Sequence, residues 1–317
     1  MGRRIAMYFA WDRSAETSAP LGDLDNRFPA LFEVRRLFWP AYESLAHAAG
    51  GQGIEGFIEA IFLQNFARFC EQAAALTGQP PRQIQRRAPD GETPLDAALL
   101  DAVDTLIVIS FDNQRTGQAA TDAEISAVRA FLARPDAMLF VCPHHDIGDT
   151  DGLAPDAALE RQVAEFRHHG DIALPGQQRF GGFGLSLMAG LGAPIRNRFG
   201  LRPARAENGD PAPFDLVAED RFRILAGAPH LNLHPHLPHY ERIGAAVDAL
   251  EVLARLKVQP EAPAHPVVTA GGAFDAILQA RPEAGLGRLV VCDATLWSST
   301  AGGLQGLQVF WKNVIEA

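Results

Sequence analysis

Cysteine, lysine and long apolar runs are all scarce in this chain, and each shortage excludes something. Three cysteines in 317 residues, Cys70, Cys142 and Cys292, cannot staple a disulfide-built fold, and they fit a reducing compartment. No window approaches the ~18–20 uninterrupted apolar residues of a membrane span. The apolar run after Arg3 and Arg4 stops at Asp12 and Arg13, short of the ~7–15-residue core of a signal peptide. A cytoplasmic location is therefore expected. Basic charge is deficient, 28 Lys and Arg against 38 Asp and Glu, for a net charge of −10. Lys257 and Lys312 are the only lysines. Nucleic acid and anionic membrane both require a basic face, so neither is expected as a partner and a small-molecule substrate is.

What is present is the composition of a globular protein with a sizeable core, 47% hydrophobic and 21% charged. Short aliphatic runs at Ile5–Ala10, Asp104–Ser110, Ala137–Val141 and Leu289–Asp293 read as buried strands. A further strand fits Arg82–Pro89, and Phe222–Ala226 and His230–His234 suggest two more. Helical spacing runs through Phe57–Leu76, with Gly78 beyond its end, and through Leu95–Ala102, Ala154–His169, Ile243–Leu256, Phe274–Ala280 and Leu304–Ile315. Thr121 and Glu124 form a capping box opening a helix to Leu132, which Pro135 closes. Pro175–Gly184 reads as a glycine-rich loop. The alternation predicts an α/β fold: a flavodoxin-like, doubly wound, mostly parallel sheet with helices on both faces. No linker divides the chain, so a single domain over 1–317 is expected, with insertions near 13–56, 150–220 and 257–285. The aromatic stripe Phe57–Phe69 fits a core helix and equally an interface in a homo-oligomer.

In such sheets ligands bind beyond the carboxyl ends of the strands. Cys142 ends one strand, where an imidazole that lowers its pKa would make it a nucleophile; a small apolar residue at a strand end is the plainer role. Asp112 and Arg115 follow another strand at the same edge and are substrate-binding candidates, as are His144, Arg179 and Gly182. Asp293 and Trp297 follow a third. Six of ten histidines fall in two short stretches. His144, His145 and Asp146 with His234, His236 and His239 offer a second chemistry, a Zn or Fe site of a metal-dependent hydrolase or lyase. A pocket lined by histidines that binds a ligand without catalysis is a third.

The run from Asp104–Ser110 to Val141-Cys142-Pro143-His144-His145-Asp146, followed by Asn232-Leu233-His234-Pro235-His236, resembles class I glutamine amidotransferases. That family pairs a nucleophile elbow of the form Gly-x-Cys-x-Gly-His-Gln with a later Gln-Phe-His-Pro-Glu. The resemblance implies an amidotransferase-like fold over roughly residues 1–240, with Cys142 as nucleophile, His145 as the elbow histidine, His234 as base and His236 as third member. The family's elbow glycines stand here as Phe140 and His144, and its glutamate as His236. ThuA-like members keep the fold without the triad, so the resemblance carries architecture more than glutamine hydrolysis. The leading expectation is a small-molecule hydrolase of amide-like C–N bonds, without a cofactor, centred on Cys142 and His234.

Overall fold

In the computed structural model, residues 2–17, 63–112, 116–144, 154–159, 181–260 and 272–317 are described. The chain opens with β1 (Ile5–Asp12) and α1 (Arg13–Thr17). A 3-10 turn at Leu63–Phe66 leads into α2 (Ala67–Thr77). Gly78 ends α2 in the left-handed conformation, φ +82°, and its N–H reaches back to the Ala74 carbonyl. Then come β2 (Arg82–Ala88), β3 (Gly91–Glu92), α3 (Ala97–Asp101), β4 (Thr105–Ser110), α4 (Asp122–Leu132) and β5 (Met138–Pro143). The second half carries α5 (Gly182–Gly190), β6 (Ile195–Leu201), β7 (Asp215–Leu216), β8 (Leu237–Arg242), α6 (Ala246–Ala249) and β9 (Leu250–Lys257). It closes with β10 (Ala273–Ala280), β11 (Arg288–Val291), a 3-10 turn at Ala294–Trp297, and α7 (Leu304–Glu316).

The protein is α/β, built on a nine-stranded sheet ordered β3-β2-β1-β4-β5-β11-β10-β9-β7. The five central strands, β2, β1, β4, β5 and β11, pair in parallel, and the outer strands on both sides add antiparallel. β6 and β8 form a separate antiparallel pair. Side chains alternate across a strand, so one face of β1 and β5 sends Met7, Phe9, Phe140 and Cys142 into a cluster with Phe69, Phe310 and Trp311 of α2 and α7. The other face sends Ala6, Tyr8, Leu139 and Val141 into a cluster with Leu99, Phe131 and Leu187 of α3, α4 and α5. No helix among the described residues is long and apolar enough to cross a membrane.

Local signals hold where they are chemical. Thr121 Oγ1 accepts the Glu124 N–H while the Glu124 carboxylate accepts the Thr121 N–H, the capping box of α4. Glu124 also holds the buried Arg86 of β2 at 3.1 Å, pinning α4 to the sheet.

Five expected elements are corrected. Ile243–Leu256 is not one helix: α6 is a single turn, and Leu250–Lys257 is strand β9. Phe274–Ala280 lies within β10, inside the stretch 257–285 expected as an insertion. Both segments carry helix-forming residues, but pairing between β10, β9 and β7 outweighs propensity, which is worth under about 1 kcal/mol per residue. Phe222–Ala226 and His230–His234 are turns and irregular chain rather than strands. The glycine-rich loop is a helix from Gly182 onward, entered through Gly181 at φ +87°. Of the helix expected over Ala154–His169, residues 155–159 are helical and 160–169 lie outside the described residues, as does the aromatic stripe before Leu63.

Candidate functional site

The carboxyl ends of β5 and β11 lie side by side, with Val141 in register with Val291, and the next residues carry polar groups. His144 follows β5, and Asp293 follows β11. Both are buried, 7% and 2% exposed, and His144 Nδ1 lies 2.8 Å from Asp293 Oδ2. A carboxylate only accepts, so Nδ1 carries the proton and the neutral ring keeps its basic lone pair on Nε2. Asp293 Oδ1 accepts from the Thr295 N–H at 2.8 Å and from the Thr295 hydroxyl. Burial pushes the Asp293 carboxyl up. The adjoining His144, then His234 and the Thr295 bond, outweigh that and hold it below its ordinary value.

The second histidine stretch reaches the same place. The His234 ring centroid is 5.3 Å from that of His144, and the His236 ring is 5.7 Å from His234. Phe111, just past β4, packs on His144 with centroids 4.8 Å apart. The His236 backbone N–H donates to His234 Nδ1 at 3.3 Å, so the neutral His234 ring carries its proton on Nε2. Asn232 ties the two stretches together. Its side-chain amide donates to the Thr295 carbonyl at 2.9 Å, and its Oδ1 accepts the His234 N–H at 3.4 Å. Behind the site, Asn197 Nδ2 donates to the His144 carbonyl, and the Tyr240 hydroxyl donates to the Pro143 carbonyl at 2.9 Å. Gly200 lets β6 approach His236: a Cβ there would sit 2.8 Å from the His236 Cβ.

Cys142 lies deeper. Its side chain is 0% exposed in the core, where Phe140 and Trp297 stack edge to face at 4.9 Å. Its sulfur lies 3.7 Å from Cys292 Sγ and accepts the Trp297 indole N–H at 3.3 Å. Asp112 is buried and structural in its contacts: Oδ2 accepts the Phe183 N–H at 2.8 Å and Oδ1 the Ser110 hydroxyl at 2.5 Å, placing a carboxylate at the N-terminus of α5. Gly182 is the close-approach residue there, since a Cβ would meet Asp112 Oδ2 at 3.0 Å. His239 is separate. It accepts the Asp275 N–H at 3.1 Å, and burial holds it below its ordinary value against the pull of Asp275 and Glu241. Arg115, His145, Asp146 and Arg179 lie outside the described residues.

Among the described residues, no set of three or more His, Cys, Asp or Glu side chains is arranged to hold a metal ion. Asp293 was legible only as a strand-end residue. Asn232 stood in the His-Pro motif without a role of its own, and Thr295 had none either; Asn197 and Tyr240 carried no motif, because each acts through a contact across the fold. Neither a protein-family model nor a curated protein matches the chain.

Proposed function

We propose that the protein is a small-molecule hydrolase of amide-like C–N bonds, built on a flavodoxin-like, doubly wound domain of amidotransferase-like type. Support for the architecture comes from the central parallel strands, which run in the order second, first, third, fourth, fifth, with helices on both faces. The observation that carries the chemistry is the buried 2.8 Å bond from His144 to Asp293 beside His234. In this reading His144 replaces Cys142 as the working group, because the thiol is turned into the core and its polar neighbours are Cys292 and Trp297.

His144 Nε2 takes a proton from water as the water oxygen attacks the carbonyl carbon. Asp293 stabilises the imidazolium that forms, and the His234 Nε2–H donates to the oxygen gaining charge. The imidazolium then returns the proton to the leaving nitrogen, and the C–N bond breaks.

The test is a panel of small primary amides, anilides and cyclic amides, read by amine or ammonia release. Turnover is expected to fall about 10²–10⁴-fold in His144→Ala and to survive in Cys142→Ala. Loss of turnover in Cys142→Ala with retention in His144→Ala would return the thiol to the centre. No release from any member would count for a binding module instead.

A further inference from the structure

Cys142 and Cys292 are buried nucleophiles that the proposed chemistry does not use. Cys142 lies in β5 and Cys292 directly follows the adjacent parallel strand β11: Val141 pairs with Val291, and the Cys292 N–H continues the ladder to the Val141 carbonyl at 3.2 Å. Neighbouring strands lie ~4.8 Å apart, inside the ~4.4–6.8 Å Cα separation that a disulfide spans. The two sulfurs already face each other at 3.7 Å. Closing to the ~2.05 Å of a covalent bond is a movement of ~1.6 Å.

We propose that Cys142 and Cys292 are a redox modification site, closing to an intramolecular disulfide under a small uncharged peroxide. The inference stands whether or not the protein is a hydrolase. Either thiol can meet the oxidant first, and the product is the same; one route starts at Cys142, whose sulfur accepts the Trp297 indole N–H at 3.3 Å. Its thiolate attacks one peroxide oxygen. The O–O bond breaks, and sulfenic acid and water form once the leaving hydroxide takes a proton. Cys292 then displaces the hydroxyl from that sulfur as a second water. The two thiols lose two electrons and two protons, and the peroxide takes both. Both sulfurs are fully buried, which confines the reaction to an oxidant small enough to penetrate. Cys70, the third thiol, is partly exposed and is not part of the pair.

The bond lies at the root of the site, since His144 is two residues beyond Cys142 and Asp293 is the residue after Cys292. Joining the sulfurs resets the spacing of the strand ends that carry the His144–Asp293 bond.

The test uses the full chain with Cys70→Ser, treated with hydrogen peroxide under native conditions, then unfolded, alkylated with N-ethylmaleimide and mapped by peptide mass. The expected product is one intramolecular pair of peptides joined through Cys142 and Cys292, two hydrogens lighter than the thiols and restored by dithiothreitol. The His144 imidazole resonances are expected to shift on oxidation. Full alkylation of both cysteines after a dose that fully oxidises free cysteine would overturn the proposal. So would cross-links only between molecules, sulfinate in place of the cross-link, or a cross-link that forms only in guanidinium. A disulfide that leaves the His144 resonances unchanged would overturn its coupling to the site.

Discussion

Asp293→Asn tests the proposed His144 tautomer by replacing a carboxylate with an amide of the same shape. Thr295 donates two hydrogen bonds to Oδ1, so the new carbonyl oxygen is held there and the NH2 turns to the Oδ2 position, facing His144 Nδ1 at 2.8 Å. Two donors cannot face each other, so Nδ1 must accept and the imidazole proton moves to Nε2. The basic lone pair is then turned away from the substrate side, a misplacement that lowers turnover about 10⁴-fold in a His–Asp pair. Stability falls less, because an amide bond replaces a charge-assisted one: about 1–2 kcal/mol, the difference between the two kinds of bond. The carboxyl is held below its ordinary value of ~3.9. Its contribution is therefore present above that value and is lost as pH falls through the folded-state pKa. In Asp293→Asn that part of the acid sensitivity disappears. The assay is a two-bond proton–nitrogen correlation spectrum of the imidazoles, with urea unfolding at several pH values. A His144 ring that keeps its Nδ1 proton in Asp293→Asn would refute the orientation argument.

Two further outcomes follow from packing and charge. Gly200→Ala places a methyl 2.8 Å from the His236 Cβ and 3.1 Å from its Cα, so β6 or His236 must shift. A loss of about 1–3 kcal/mol in urea unfolding is expected, together with altered His236 and His234 ring signals; an unchanged midpoint would show that the approach is looser. At the far end of the sheet, the Arg4 hydrogen bond holds the Asp104 carboxyl down at about 2. The folded pKa lies below the unfolded one, so its stabilisation is complete above ~pH 4 and is lost as pH falls towards 2. Asp104→Asn is expected to flatten the urea midpoint against pH over that window, and a profile identical to the parent's would remove Asp104 from the acid response.

Much of the polar frame was readable one element at a time. The Thr121–Glu124 box, the Gly78 stop and the aliphatic runs of β1, β4, β5 and β11 depend on neighbours within a few residues, so local chemistry settles them. His144 could be assigned to the carboxyl edge because it follows a parallel strand, whereas His234 and His236 reach it from irregular chain, of which His230–His234 reads as a strand in the sequence. Which histidine meets which partner could not. Cys142 lies in β5 and His144 is the residue just past its end, yet one packs against Phe140 and Trp297 while the other finds Asp293. That divergence depends on β11 lying beside β5, a pairing across about 150 residues that no spacing announces.

Composition and periodicity were enough for an α/β chain with a large apolar core and polar residues gathered at strand ends, because burial pattern and turn chemistry are local properties. Sheet neighbours and side-chain partners were not. β9 and β10 read as helices because their intrinsic preferences are helical and small, and interstrand pairing overrides them. The shortage of cysteine met at the start of the chain changes meaning for the same reason. Three thiols are too few for a disulfide framework, but the parallel pairing of β5 with β11 sets two of them 3.7 Å apart beneath His144 and Asp293.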